Sequence, residues 1–346
     1  MTVPDHNRQY RLRRRPEGRP EPDDFELVEA DVPTVEPGEV LVRTRYLSVD
    51  PYMRGRMRDR ESYAEPWSVG DVMRGGVVGE VVVSNADRYD PGDIVVGRLD
   101  WADLSVAPAH QLAPVDPDVA PISTALSVLG MPGRTAYFGM LDVARPRPGD
   151  TVLVSGAAGA VGSVAGQIAR IAGCRVVGIA GTDEKVEWLT ADLGFDAGIN
   201  YHTEEVTSRI AETCPAGVDV YFDNVGGSIT DAAFQHLTVG ANIAVCGQIA
   251  LYNEEDVPTG PRKLWTLIEK RARVEGFLVS DFAHRRQEAT TRLADWVSSG
   301  QIAYRETVVD GLENAPSAFI GLFEGDNIGK QLVRVSSSTQ RQSSPH

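Results

Sequence analysis

The chain has 346 residues, 42% of them hydrophobic and 24% charged, a globular mix that suits two domains and excludes a wholly disordered chain. No window approaches 18 unbroken apolar residues, which excludes a transmembrane helix, and the N-terminus lacks the apolar stretch of a secretory signal. With 49 acidic against 34 basic residues, the net charge is −15, so neither a nucleic-acid nor a membrane partner is expected.

In chain order, the first 120 or so residues read as β-rich. Residues 25–28 and 39–44 alternate as strands do, separated by Pro33, Pro37 and Gly38. The run 77–83 predicts a strand, bulged at Gly79. Pro91-Gly92-Asp93 predicts a turn into a strand at 94–96. Short strands this close together predict a small barrel or sandwich. Arg11, Arg13, Arg14 and Arg15 form the one basic run; it reads as an exposed strand with an arginine turn.

The pattern changes near residue 123. Helices are predicted at 123–129, 160–172, 184–193, 229–237 and 263–270. Strands are predicted at 151–154, 175–180, 218–223 and 241–246. This alternation predicts a parallel sheet covered on both faces. Beyond 307 the chain returns to strand and turn character, and the residues from Ser336 onward read as a frayed tail. Cys174, Cys214 and Cys246 are widely spaced, without a CxxC pair. That argues against a disulfide scaffold or a cysteine zinc site and predicts a reducing, cytoplasmic compartment.

Ser155-Gly156-Ala157-Ala158-Gly159-Ala160-Val161-Gly162 lies between an apolar strand and an apolar-periodic helix. Small residues there let the backbone turn sharply and approach a pyrophosphate, and a helix N-terminus adds free N–H groups. Gly162, Gly166 and the neighbouring alanines also permit close helix–sheet packing. An NAD site usually ends the next strand with a carboxylate. Here the strand ends Ile179-Ala180-Gly181-Thr182, and Lys185 follows. An ammonium attracts a 2′-phosphate, so NADP is preferred over NAD, provided Asp183 and Glu184 point to solvent.

Several segments carry a resemblance. They are Leu47-Ser48-Val49-Asp50-Pro51-Tyr52-Met53-Arg54, Gly130-Met131-Pro132-Gly133-Arg134-Thr135-Ala136-Tyr137-Phe138-Gly139 and the glycine turn. With them go Asp183-Glu184-Lys185, Phe222-Asp223-Asn224-Val225-Gly226-Gly227, Cys246-Gly247-Gln248-Ile249-Ala250-Leu251-Tyr252-Asn253 and Gly325-Asp326-Asn327-Ile328-Gly329-Lys330. In this order they resemble the zinc-independent medium-chain dehydrogenase/reductases of the prostaglandin reductase, leukotriene 12-hydroxydehydrogenase and curcumin-reductase-like group. The resemblance runs from Asn7 to about Val335 and is specific for the family, not for a substrate.

The resemblance implies an α/β architecture. A GroES-like β-rich catalytic domain would span 1–125 and 308–346, and a doubly wound parallel-sheet Rossmann domain 126–307. It implies that Gly159, Ala160, Val161 and Gly162 hold the pyrophosphate of NADP and that Lys185 and Tyr201 hold the 2′-phosphate. Asn224, Cys246, Gly247, Gln248, Ile249, Tyr252, Phe277, Leu278, Val279 and Asn327 would line the rest. It also implies a homodimer through the edges of the Rossmann sheets. Read without the family, Tyr201 is equally a half-buried tyrosine, Asn224 and Asn327 turn residues, Cys246 a small buried residue, and 277–279 core.

The first domain has no cysteine and only His6 and His110, so no metal is expected, and alcohol–ketone interconversion lacks its usual Lewis acid. The reaction that remains natural is NADPH-dependent conjugate reduction of an enone or alkenal. The family implies an enolate-side donor at Tyr252, or that side chain is only a wall of the pocket. Tyr52 is the second catalytic candidate, or a turn tyrosine packed under the barrel; Arg54 anchors its loop or meets substrate. Arg134 replaces a usually apolar family residue and favours an acidic substrate if it faces the cleft. Trp67 and Trp101 are either core or pocket residues. Two other functions fit the same residues: an NADPH quinone reductase, and a non-catalytic NADPH-binding sensor or structural protein.

Overall fold

A computed structural model describes residues 4–256 and 258–335; the predicted tail from Ser336 lies outside them. Residues 4–126, 307–326 and 331–335 form one compact unit, and residues 127–306 with 327–330 a second.

The first unit opens with an antiparallel pair, β1 (His6–Leu12) and β2 (Phe25–Asp31). The arginine run leads out of β1. Arg14 pairs with Asp24 at 2.6 Å, and Arg15 reaches the Met57 carbonyl at 3.1 Å and Asp59 at 3.5 Å. These contacts fit an arginine turn set among carboxylates. Then come β3 (Glu39–Ser48), the short helix α1 (Met53–Arg56), β4 (Arg74–Ser84), β5 (Ile94–Asp100), β6 (Leu104–Pro108) and β7 (Ala113–Pro114).

The predicted bulge at Gly79 has its extra residue on the opposite strand: Gly79 pairs with Thr44, the register slips beside that pair at Arg45 on β3, and it slips again at Val82 on β4. What Gly79 provides is clearance, since a Cβ there would lie 2.4 Å from the Arg43 carbonyl oxygen. Trp67 and Trp101 are core residues. Trp101 is fully buried and stacks parallel to Phe25 at 6.4 Å.

The predicted helix over 123–129 is instead a short 3-10 turn, Ile122–Leu126. The chain breaks there because the Ser127 hydroxyl donates to the Glu306 carboxylate. Helix α2 (Met131–Phe138) follows, then β8 (Thr151–Val154), α3 (Gly162–Ile171), β9 (Arg175–Ala180), α4 (Asp183–Glu187), β10 (Ala197–Asn200), α5 (Val206–Thr213) and β11 (Val218–Asp223). Next are α6 (Gly227–Ala233), β12 (Leu237–Val245), α7 (Leu264–Lys270), β13 (Arg273–Gly276) and α8 (Arg286–Ser298).

Helix α6 stops four residues earlier than predicted, because the His236 carbonyl already accepts the Val218 N–H at 2.8 Å and starts the strand. Helix α3 starts two residues later than predicted, because Ala160 and Val161 still belong to the turn. The last elements, β14 (Glu306–Asp310), α9 (Ala315–Gly321) and β15 (Lys330–Arg334), return β14 and β15 to the sheet of β3.

The second unit is a six-stranded parallel sheet, order β10-β9-β8-β11-β12-β13. Along β8, Val152 and Val154 enter one core while Leu153 enters the other. That period of two puts an apolar core on both faces. Strand order reverses between β8 and β11, which opens a crevice at their carboxyl ends.

Candidate functional site

The glycine-rich turn occupies that crevice. Gly156 takes φ +57, and the Gly159 N–H donates back to the Gly156 carbonyl at 3.0 Å. A Cβ on Gly162 would lie 2.3 Å from the Gly156 oxygen, and one on Gly166 would lie 2.0 Å from the Phe195 ring. The glycines therefore let α3 close on the sheet and leave bare backbone beside the first turn of α3, where the Ser163 N–H donates to the Gly159 carbonyl at 3.1 Å and the Ala165 N–H to the Val161 carbonyl at 2.9 Å. This is the cradle a pyrophosphate needs.

At the tip of β9, the Tyr201 ring lies over Gly181. A Cβ there would meet the Tyr201 hydroxyl at 3.0 Å, so a side chain at 181 would crowd the ring and glycine gives it room. Thr182 caps α4 by accepting the Lys185 N–H at 3.3 Å, which sets Lys185 on the first turn of this short helix. The two nearby carboxylates are engaged elsewhere. Asp183 accepts from the Asn200 side chain at 2.6 Å, and Glu184 pairs with Arg305 at 3.8 Å. Both residues are exposed, Asp183 is held at Asn200, the neighbour of Tyr201, and the β9 tip itself carries no carboxylate.

At the carboxyl end of β11, Asn224 donates its side-chain N–H to the Ser155 carbonyl at 2.7 Å. The loop from Cys246 to Tyr252 lies against this turn. The Cys246 and Gly247 N–H groups donate to the Asp223 carbonyl at 2.8 and 3.1 Å, and the Ile249 N–H to the Asn224 carbonyl at 3.3 Å. Cys246 is only partly buried and lies just past the end of β12; desolvation, with Asp223 nearby, pushes its thiol up to about 12, which does not suit a nucleophile. The Tyr252 hydroxyl folds back over its own loop and accepts the Gln248 N–H at 3.3 Å.

Asn327 comes from far along the chain. Its side-chain N–H donates to the Gly329 carbonyl at 2.7 Å, and the Gly329 N–H donates to the Ala158 carbonyl at 2.8 Å. Gly159 and Gly329 form a parallel bridge. Residues 327–330 are thus part of the glycine-turn site.

Phe277 packs edge-on against Phe222, and Val279 also meets the core, while Leu278 is exposed. Tyr52 belongs to the first unit, beside α1. Burial, and then Asp50, push its hydroxyl above the usual phenol range. Arg54, fully buried, donates to the Gly18 carbonyl at 2.7 Å and so anchors this loop. Arg134 is half-buried on α2 and donates to the Leu129 carbonyl at 3.3 Å; burial and Arg286 push its guanidinium down to about 10.

Sequence reasoning passed over Ser155, Gly181, Asp223 and Gly329 as individual site residues. The position of Asp223 and Asn224 at a strand end was the one signal available. Among the described residues, no group of three or more His, Cys, Asp or Glu could hold a metal ion.

Two family models match the chain. One is an N-terminal domain of oxidoreductase over residues 8–115, the other a zinc-binding dehydrogenase over residues 160–299. A GroES-like β unit with a Rossmann unit defines the class, and the chain belongs to the zinc-independent medium-chain dehydrogenase/reductases of the prostaglandin and curcumin reductase type. It is 45% identical to the NADPH-dependent curcumin reductase of Escherichia coli, over 95% of this chain and 97% of that one. It is 41% identical to an NADP-dependent 2-alkenal reductase of Nicotiana tabacum, over 95% and 98%. The solved structure of CurA from Vibrio vulnificus in complex with NADPH superposes with a TM-score of 0.92 at 43% identity, covering 95% of this chain and 99% of that one.

Proposed function

We propose that the protein is an NADPH-dependent reductase of the C=C bond of α,β-unsaturated ketones and aldehydes. The observation that carries this reading is the Tyr252 hydroxyl, oriented by the Gln248 N–H above the loop that lies against Asn224. When bound, NADPH supplies a hydride for the substrate's β-carbon. Negative charge then collects on the substrate carbonyl oxygen, and donors aimed at that oxygen lower the barrier. Tyr252 is the candidate donor, with Tyr52 the second catalytic candidate. The raised pKa of Tyr52 keeps its hydroxyl protonated, and hence a donor, at neutral pH. Gly159 to Gly162 would hold the pyrophosphate, and Lys185 and Tyr201 the 2′-phosphate. Asn224, the loop from Cys246 to Ile249, residues 277–279 and Asn327 would hold the remainder.

Initial rates with enones, alkenals and quinones, each with NADPH and NADH, test this reading. Fast NADPH oxidation with enones and at least about tenfold slower use of NADH are expected. Turnover of quinones alone would replace the reading with a quinone reductase. Tight NADPH binding without oxidation would replace it with a sensor.

The same reading includes a homodimer in a reducing cytoplasm. β13 is the edge of the six-stranded sheet. α7, packed on β12, exposes Leu264 at 74%, Trp265 at 65% and Ile268 at 65%. An open strand edge beside an apolar helix face suits pairing with a second copy. Sedimentation should give twice 37.5 kDa, and Trp265→Glu should shift it toward the monomer. A wild-type monomer would refute the dimer. All three thiols are free, and among the described residues no helix is long and apolar enough to cross a membrane.

A further inference from the structure

Two arginines of the Rossmann unit, Arg134 on α2 and Arg286 on α8, come together along the contact between these helices. On α8, Arg286, Ala289, Leu293 and Trp296 fall on one helical stripe, and the last three are buried. This stripe is the one against α2. A Cβ on Gly133 would lie 3.2 Å from Leu293, and the Trp296 ring is 5.9 Å from that of Tyr137. Arg286 is the exposed end of the stripe. On α2, Arg134 stands one turn before Tyr137 and Phe138, on their side of the helix. Tyr137 donates to Glu288 of α8 at 3.1 Å, and Phe138 stacks on Phe282, just before α8, at 4.6 Å.

The carboxylates nearby belong to a third arginine. Arg285 pairs with Asp142 at 2.6 Å and with Glu288 at 2.6 Å. Arg134 has only the Leu129 carbonyl, at 3.3 Å. Among the described residues, no carboxylate pairs with Arg134 or with Arg286, although the chain carries a net charge of −15. Burial and Arg286 both disfavour the charge on Arg134, a repulsion that an anion between the two would relieve. A guanidinium stays charged at neutral pH, and its planar fork of N–H donors matches a carboxylate or a phosphate.

We infer that Arg134 and Arg286 form a binding site for an oxyanion, the carboxylate or phosphate of a small molecule, at the exposed end of the α2–α8 contact. The segment Val279–Arg285 leads into α8 and continues from residues 277–279, which the proposed function assigns to the cofactor. The anion that suits this place is therefore the acidic end of a substrate. That last step rests on the proposed function, whereas the anion site does not. A free phosphate ion has the same chemistry, and the test separates the two.

The test is a calorimetric titration of the full-length protein, with NADP+ present, against 7-oxooctanoate, its methyl ester and inorganic phosphate. None of these has a C=C bond to reduce, so binding alone is read. The keto acid should bind at least about tenfold tighter than the ester, and about 10–150-fold more weakly in Arg134→Leu and in Arg286→Gln. Affinity for the ester should stay within about threefold of wild type. The double variant should lose less than the product of the two, because both arginines hold one anion. Melting temperatures should hold, since each variant removes a repulsion; a merely structural arginine would take stability with it. If Arg134→Leu does not fold, the exposed Arg286 carries the test. Phosphate binding that falls in both variants, with keto acid and ester bound alike, would make a free anion the ligand and keep the site. No anion binding, anion binding unchanged in the variants, or equal loss of acid and ester would overturn the inference. A protein inactive on enones would refute the proposed reaction and leave these titrations standing.

Discussion

Replacing Lys185 with alanine is expected to cut the preference for NADPH over NADH by about 10–150-fold, the equivalent of roughly 1.5–3 kcal/mol for a hydrogen bond to a charged group. Three placements support the expectation. Thr182 fixes the start of α4 under Lys185, Gly181 admits the Tyr201 ring at the same strand tip, and Asp183 and Glu184 are drawn off by Asn200 and Arg305. Removing the ammonium leaves no carboxylate to favour NADH, so NADH kinetics should change little. The loss should fall on the KM for NADPH, and the melting temperature should hold, because Lys185 sits on a short surface helix. An unchanged ratio of kcat/KM values for the two cofactors would show that Lys185 does not read the phosphate.

The second large effect is expected at Gly329. Its φ of +69 favours glycine, and a Cβ there would lie 1.9 Å from the Arg305 carbonyl oxygen. The left-handed backbone costs an L residue roughly 1–2 kcal/mol, and forcing the overlap costs roughly 1–3 kcal/mol more. Gly329→Ala should therefore lose about 2–5 kcal/mol, a large share of a typical stability of about 5–15 kcal/mol. Urea denaturation would measure it. The loss need not unfold the molecule, since the segment 327–330 can leave the glycine turn. In that case the bond from Gly329 to Ala158 and the Asn327 position go with it, and NADPH affinity should fall at least about tenfold. Wild-type stability together with wild-type affinity would contradict the close approach.

The Rossmann half was the more legible in the sequence because its signals are local. β8 and β9 begin and end where their apolar runs do, and the glycine turn sits between them in sequence as in space. Lys185 could be singled out because the strand tip, the missing carboxylate and the helix start lie within a few residues. Boundaries slipped where a distant partner decides them: Glu306 ends the predicted helix at Ser127, and Val218 stops α6 by claiming His236. The strand that carries the bulge at Gly79 was illegible for a similar reason, since register depends on both strands: one slip fell opposite Gly79, at Arg45, and the other at Val82. Asp223 read only as the end of a strand. The donors to its carboxylate come from the glycine turn after β8, from β11, the turn after it and α6, and no periodicity links those positions.

The bridge between Gly159 and Gly329 also sets an order of events in time. A ribosome makes the glycine turn early and must add roughly 170 further residues, on the order of 10–30 s of synthesis, before the strand that completes it exists. Until then the nascent Rossmann unit has its sheet and its first phosphate-facing helix but lacks one wall of its nucleotide site. Cofactor binding therefore cannot assist the early stages of folding. It acts late, as a ligand that stabilises a nearly finished chain and leaves its immature forms unrewarded.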